Sequence, residues 1–228
     1  MKFFDCKTAP SPRRVRIFLV EKGIEIETID VDLAAGEQFS EAFRAINPDC
    51  VVPALQLDDG SCLSEVVAIC GYLEELHPEP ALLGSTPEEP ARVAMWNAKV
   101  EQQGLLAVME ALRNFSKGFK GRAIAGATSY EQIPELAERG RQRIFDFYDR
   151  LDAQLAANKF VAGENYSVAD IAALVFVDFA KWVKAEVPEG HAHLRRWYED
   201  VAQRPSSEAC FSLVPPVSGH RVLRGCQS

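Results

Sequence analysis

Val51-Val52-Pro53-Ala54-Leu55-Gln56-Leu57-Asp58-Asp59-Gly60-Ser61-Cys62-Leu63-Ser64-Glu65-Val66-Val67 is the stretch whose reading decides the fold. Ala54, Leu55 and Leu57 read as a short strand, and Cys62 and Leu63 as the strand that returns beside it. Asp58-Asp59-Gly60 between them is a tight hairpin turn, because glycine takes a positive φ without a Cβ clash. Ser64 is placed to cap the helix that follows. Pro53 has no N–H for a ladder, so it belongs where the strand begins. A cis Val52–Pro53 bond, open to X–Pro pairs at modest cost, would turn the amide and carbonyl of Val52 outward to meet an extended peptide. The helix start at Glu65 and Val66 would offer free N–H groups to an anion. A ligand with a peptide backbone at one end and a carboxylate at the other suits both features.

Before this stretch, Lys2 to Asp5 reads as a buried first strand. The run Thr8-Ala9-Pro10-Ser11-Pro12 is a turn, with Pro12 suited to the first turn of a helix. Val15, Phe18 and Leu19 form that helix's apolar stripe, and Gly23 ends it. Glu25 to Val31 is the second strand. A short helix over Gly36 to Ile46 puts Phe39, Phe43 and Ile46 on one side, and Asn47-Pro48 breaks it. After the hairpin, a helix from Ser64 to Leu76 turns Val67, Ile69, Tyr72, Leu73 and Leu76 inward. The order β-α-β-α-β-β-α makes an α/β unit over residues 1–78. Residues 79–90, rich in proline, read as a linker anchored by Leu82 and Leu83.

Beyond the linker, residues 91–212 read as all helical. Val93, Trp96, Val100, Ala107, Met109 and Leu112 recur at helical spacing in a segment ending near Gly118. Gly121 to Gly126 is loop. Ile144, Tyr148, Leu151 and Leu155 mark a long amphipathic helix within Ile133 to Ala157. Tyr166-Ser167-Val168-Ala169-Asp170-Ile171 is a capping-box signature, with Asp170 in place of the usual Glu and Tyr166 and Ile171 as the hydrophobic staple. The following helix is apolar almost all round, as for the middle of a bundle. His193 to Gln203 is a last amphipathic helix. Residues 213–228, with Pro215-Pro216, read as a surface tail.

Composition excludes several function classes. The chain has 228 residues, 47% of them hydrophobic, and a formal net charge of −8. Disorder does not fit such apolar content, and the acidic balance argues against nucleic acid and against anionic membranes. Ile171 to Ala180 is too short to span a bilayer and contains Asp178. The N-terminus lacks a signal-peptide core, because Arg13, Arg14 and Arg16 interrupt it. Six cysteines are present, with no Cys-x-x-Cys spacing and no histidine pattern beside them, so a metal site has no motif. The thiols read as free and the compartment as cytoplasmic.

Taken together, Val52-Pro53, Leu63-Ser64-Glu65-Val66-Val67-Ala68-Ile69, Ser167 to Asp170 and Arg204-Pro205 resemble the glutathione transferase family, over residues 1 to about 212. The resemblance implies a thioredoxin-like N-terminal domain that binds glutathione and an all-α C-terminal domain that binds a small hydrophobic electrophile. It also implies a homodimer, and glutathione as co-substrate with no cofactor. By the same resemblance, Val52, next to Pro53, pairs its main chain with the cysteinyl part of glutathione. Glu65 and the amide of Val66 hold the γ-glutamyl end, and Gln38 and Asn47 are polar positions nearby. Val66 stands where the family carries a serine, so a side-chain hydroxyl is missing. The usual catalytic Ser or Cys falls on Ala9, which can do neither job, and Thr8 and Ser11 are the nearest hydroxyls. The Ala-Pro-Ser-Pro-Arg-Arg-Val-Arg run looks most like a fungal and bacterial branch that lacks the usual residue. There the resemblance implies a water held from the second domain's first helix, for which Arg113, Asn114 and Ser116 are the side chains at hand. Ser11 and Asn114 are thus the catalytic candidates.

Each residue also has a plainer reading. Pro53 belongs to every thioredoxin-like fold, Ser11 can cap a helix, and Arg13, Arg14 and Arg16 read partly as a solvated face. Ser167 and Asp170 read as structural, and Cys6 as a buried apolar thiol. Two alternatives to conjugation stand: a non-catalytic binding or assembly protein on the same fold, suggested by Ala9 and Val66, and glutathione-dependent thiol-disulfide exchange through Cys6.

Overall fold

The structure is a computed structural model that describes residues 1–210. The expected tail 213–228 and the end of the helical span 91–212 lie outside the described residues. Strands β1 (Lys2–Asp5), β2 (Glu27–Asp30), β3 (Ala54–Gln56) and β4 (Cys62–Leu63) form one sheet in the order β2-β1-β3-β4. β1 runs parallel to β2 and antiparallel to β3, and β4 returns antiparallel to β3. Gly60 makes the hairpin turn at φ +87°, where a side chain would be strained. With α1 (Pro10–Lys22), α2 (Glu41–Arg44) and α3 (Val66–Leu76) the order is the expected β-α-β-α-β-β-α, a thioredoxin-like unit. Phe3, Val15, Phe18, Leu55, Ile69 and Leu73 are buried between sheet and helices.

Several local expectations need correction. Ser64 does not cap α3: Glu65 is the N-cap and no side chain accepts there. The inner face of α3 is Ile69, Cys70, Leu73 and Glu74, whereas Val67 and Leu76 are about half exposed. The second strand is shorter than Glu25 to Val31. The helix expected over Gly36 to Ile46 is a 3₁₀ turn, Glu37–Phe39, followed by α2. Arg13 and Arg14 are not a solvated face but buried, at 4% and 5% exposure. Arg13 donates to Asp178 at 2.7 Å, and Arg16 pairs with Asp5.

The linker is fastened rather than loose. The Lys22 ammonium is sequestered beside Glu74 and donates to the carbonyls of His77 and Pro80. The Glu74 carboxylate accepts from the amides of Leu82 and Leu83, at 2.8 and 3.1 Å. Leu82 is buried, as expected of an anchor.

The helical unit is α4 (Glu89–Lys99), α5 (Leu106–Phe115), α6 (Pro134–Ala157), α7 (Val168–Ala180), α8 (Ala192–Ala202) and α9 (Pro205–Ala209). The single segment expected through residue 118 is interrupted by a π-helical turn, Val100–Leu105. Such turns relocate one residue relative to an α-helix and recur near functional sites. Gly140 lets α6 lie against α5, because a Cβ there would come within 2.6 Å of the Ala111 amide. Every residue of α7 is buried, as expected for a central helix. Its capping box is present: Asp170 Oδ2 accepts from the Ser167 amide at 3.0 Å and Ser167 Oγ from the Ala169 amide at 3.3 Å.

The two units are also joined at the chain's far end. Arg204 donates to both carboxylate oxygens of Glu21 on α1, at 2.8 and 2.7 Å, and Ser206 donates to the same carboxylate. Burial pushes the Glu21 carboxyl up, but the Arg204 and Ser206 hydrogen bonds and the Arg204 charge outweigh it and hold it below its usual 4.5. A carboxylate lowered in the fold stabilises above its unfolded value, and that stability is lost as pH falls through the folded one. Glu21→Gln is expected to lower the unfolding free energy by about 1 kcal/mol at neutral pH, a modest figure because Arg204 is one-third exposed. The difference should shrink toward zero on acidification; urea titrations at several pH values check this, and a difference that ignores pH contradicts it.

Candidate functional site

A cleft opens between the two units. Its first wall is Ala9, Pro10 and Ser11 at the start of α1, with Leu33, Gln38, Phe39 and Cys50 to Val52. The opposite wall comes from α5 through Met109, Leu112 and Arg113, from Phe119 and the 122–126 loop, and from Phe179 and Trp182. Among the described residues, no Asp or Glu lines it.

On the first wall, the Val52–Pro53 bond is cis. The N–H and C=O of Val52 find no main-chain partner among the described residues, since the ladder begins two residues later, at Ala54 paired with Phe4. Pro53 is buried beneath it. Gln38 is 6% exposed, and its Oε1 is buried with no partner among the described residues. An orphaned buried acceptor costs the fold about 1–3 kcal/mol unless a ligand or water meets it. Asn47, by contrast, is spent on its own turn, bonding the Val51 carbonyl and the Asp49 amide.

Ala9 is the N-cap of α1 and offers no side-chain acceptor. Ser11 is the second helical residue, so it is not the cap that the sequence allowed. Pro10 and Pro12 beside it carry no N–H, which leaves the Ser11 amide as the only donor among those three positions. Its hydroxyl accepts from Arg14 at 3.2 Å, and Arg14 is itself held by Glu101 of the π turn. The Ser11 O–H is left to donate elsewhere, beside the positive end of a helix.

The remaining candidates are not gathered here. Glu65 is exposed at the start of α3, and Val66 faces a separate crevice with Arg14, Leu83 and Asn97. Asn114 requires correction as a catalytic candidate. It is 7% exposed, its amide nitrogen donates to the Glu110 carbonyl, its oxygen accepts from the Ile133 amide, and it does not line the cleft. Ser116 is absent from the lining too, whereas Arg113 is part of it. Cys6 is buried as a small thiol against Thr8 and also does not line the cleft. Cys50 does, in the left-handed region at φ +56°. Sequence reading passed over Cys50, Arg122, Phe179 and Trp182; the αL position of Cys50, after the break at Asn47-Pro48, had no local signal.

The architecture and the exposed main chain at Val52 accord with the comparisons. Residues 8–76 match the family model Glutathione S-transferase, N-terminal domain, and residues 99–205 match Glutathione S-transferase, C-terminal domain. The chain belongs to the glutathione S-transferase family. It is 33% identical over 215 residues to Glutathione S-transferase 2 of Saccharomyces cerevisiae, covering 93% of this chain and 90% of that one. The crystal structure of Gtt2 from the same yeast superposes with a TM-score of 0.84 at 33% identity, over 92% of this chain and 100% of that one. A glutathione S-transferase domain-containing protein from Marinobacter aquaeolei VT8 gives 0.81 at 35% identity, over 91% and 100%. As a glutathione transferase, the chain uses glutathione as co-substrate. No helix of the described residues is long and apolar enough to cross a membrane. The cysteines described are all free thiols, and full burial pushes Cys70 up to about 12.

Proposed function

We propose that this chain conjugates the glutathione thiolate to a small hydrophobic electrophile, as a cytoplasmic detoxification enzyme working as a homodimer. The observation that carries the reading is the unpaired main chain of Val52 in one cleft with the orphaned Gln38 carbonyl and Ser11. Glutathione lies along Val52, and its cysteinyl N–H and C=O complete the hydrogen bonds that β3 leaves open. The tripeptide runs on from Val52, out of the cleft, to the exposed start of α3, where Glu65 pairs with the γ-glutamyl ammonium. The Val66 amide, at the positive end of α3, takes the adjoining carboxylate without needing the missing serine hydroxyl. A thiol of pKa about 8.5 is mostly protonated at neutral pH. The Ser11 hydroxyl, polarised by Arg14, and the α1 dipole favour its ionised form. The thiol proton passes to solvent, the sulfur forms a bond to the electrophilic carbon, and the leaving group departs with its electron pair. The homodimer reading is supported by the apolar residues Val67 on α3 and Met95 on α4, exposed at 57% and 46%. The cytoplasmic reading is supported by the free thiols.

Titrating glutathione while recording thiolate absorbance is expected to give a saturating band. Glu65→Ala should weaken that binding by about 1–3 kcal/mol, the worth of a charge-assisted hydrogen bond. No band at millimolar glutathione sinks the proposal. Ala9 and Val66 favour a second reading, a non-catalytic binder, which predicts saturable glutathione binding and no turnover on any electrophile.

A further inference from the structure

We propose that the electrophile carries a carboxylate, held by Arg113 and Arg122 on the helical wall of the cleft. This rests on the conjugation reading above and names the class of molecule that fills its second subsite.

Arg113 leaves α5 at its last turn and lines the cleft. Its Nε is buried without a hydrogen-bond partner, and its guanidinium lies 4.5 Å from the Phe119 ring centre. Among the described residues no carboxylate comes within ion-pair distance of it or of Arg122. Arg122 stands beside it, one of its nitrogens donating to the Gly118 carbonyl at 3.2 Å and its backbone bridged to Tyr130. The rest of this wall is apolar, formed by Met109, Leu112, Phe119, Ile124 and Phe179.

Two sheltered cations side by side are costly unless an anion meets them. Burial, and then the Arg122 charge, pull Arg113 down to about 10, so the cost is unrelieved among the described residues. The protein is not short of acids, with 33 Asp and Glu against 25 Lys and Arg. Elsewhere its buried arginines are matched: Arg13 has Asp178 and Arg14 has Glu101. Among the described residues that line it, the cleft combines two arginines and aromatic rings with no acid. A planar guanidinium recognises a carboxylate through paired N–H donors, while the apolar lining takes the body of the molecule. An acidic protein with a cationic cleft also focuses an anionic substrate there.

A chloronitrobenzoate and its methyl ester test this. In both, the thiolate attacks the chlorine-bearing carbon, the C–S bond forms and chloride leaves, so only the carboxylate differs. The native chain should prefer the acid in kcat/KM and bind it more tightly than the ester by calorimetry. Arg113→Ala should lower the acid-to-ester ratio of kcat/KM by about 10- to 100-fold, through KM for the acid. Arg113→Lys should recover part of that ratio. Arg122→Ala, on the loop, gives the same reading if Arg113→Ala does not fold. A loss shared equally by acid and ester overturns the inference, as does equal binding of the two by the native chain. A rise confined to KM for glutathione also overturns it, because the arginines would then serve the tripeptide. If neither compound is conjugated yet the acid binds in an Arg113-dependent way, conjugation fails and the anion subsite stands.

Discussion

Asp170→Ala is expected to destabilise the fold by about 3–5 kcal/mol at neutral pH, the range for breaking a buried hydrogen-bond network. Asp170 is fully buried, and its two oxygens serve three parts of the helical unit. Oδ1 accepts from the Val161 amide and from Trp197 Nε1, both at 2.9 Å. Oδ2 accepts from the Ser167 amide at 3.0 Å and the Ser167 hydroxyl at 3.2 Å. Burial pushes this carboxyl up to about 6 against those donors, so at neutral pH it is ionised and accepts all four. Alanine would leave two amides and an indole N–H sealed from water without an acceptor. Because those donors sit before α7, at its start and on α8, the loss would loosen the start of α7 and the seat of α8 together. Denaturant unfolding followed by tryptophan fluorescence measures it. A loss under about 1 kcal/mol would show that water reaches these groups and that the network is not what holds the helices.

The Arg13–Asp178 pair predicts a second large loss, with a consequence for the cleft. Both side chains are 5% exposed and they meet at 2.7 Å. Asp178 also accepts from Lys181 at 2.9 Å and from Tyr198 at 2.5 Å. Arg13 sits two residues after Ser11, and Asp178 immediately precedes Phe179, so this contact sets one wall of the cleft against the other. Asp178→Ala would remove the buried carboxylate that Arg13, Lys181 and Tyr198 share and cost about 3–5 kcal/mol. Replacing the pair together, as Arg13→Met with Asp178→Leu, should recover much of the stability, because the buried guanidinium is then removed together with its carboxylate. Turnover should recover less than stability, since Lys181 and Tyr198 still lose their acceptor. Single and double variants, compared for unfolding free energy and for KM toward glutathione, separate the two effects. A double variant no more stable than the single one would contradict the ion-pair account.

The same pair shows where local reading ends. Arg13-Arg14-Val15-Arg16 looks like a charged face, because nothing nearby can neutralise it. The carboxylate that buries Arg13 lies 165 residues away in the chain, and the one that meets Arg14 lies 87 away. Asn114 was misjudged for a similar reason. Its own helix engages only the nitrogen, through the Glu110 carbonyl, and a chain returning 19 residues later uses its oxygen. Ser64 failed differently: the helix begins one residue beyond where a Ser cap would need it, with Glu65 extended at ψ 139°. Arg122 gave no signal at all, and Arg113 stood out only through the resemblance, as one side chain at hand for a bound water; what marks the two as a pair is that no described carboxylate lies around them, and only packing reveals that.

Short-range chemistry was decisive for the turn at Gly60, for Pro53 standing ahead of β3, for the Ser167–Asp170 box and for the apolar run that became α7. Each depends on the shape or polarity of neighbours within a few residues, so the chain itself dictates them. The cleft is of another kind. The chain brings α1 against α7, seats α5 on α6 through Gly140, and carries Phe119 and Arg122 across from Val52 only once it has folded. Burial and charge at those positions come from partners tens of residues away, and no local pattern encodes a partner's position in space.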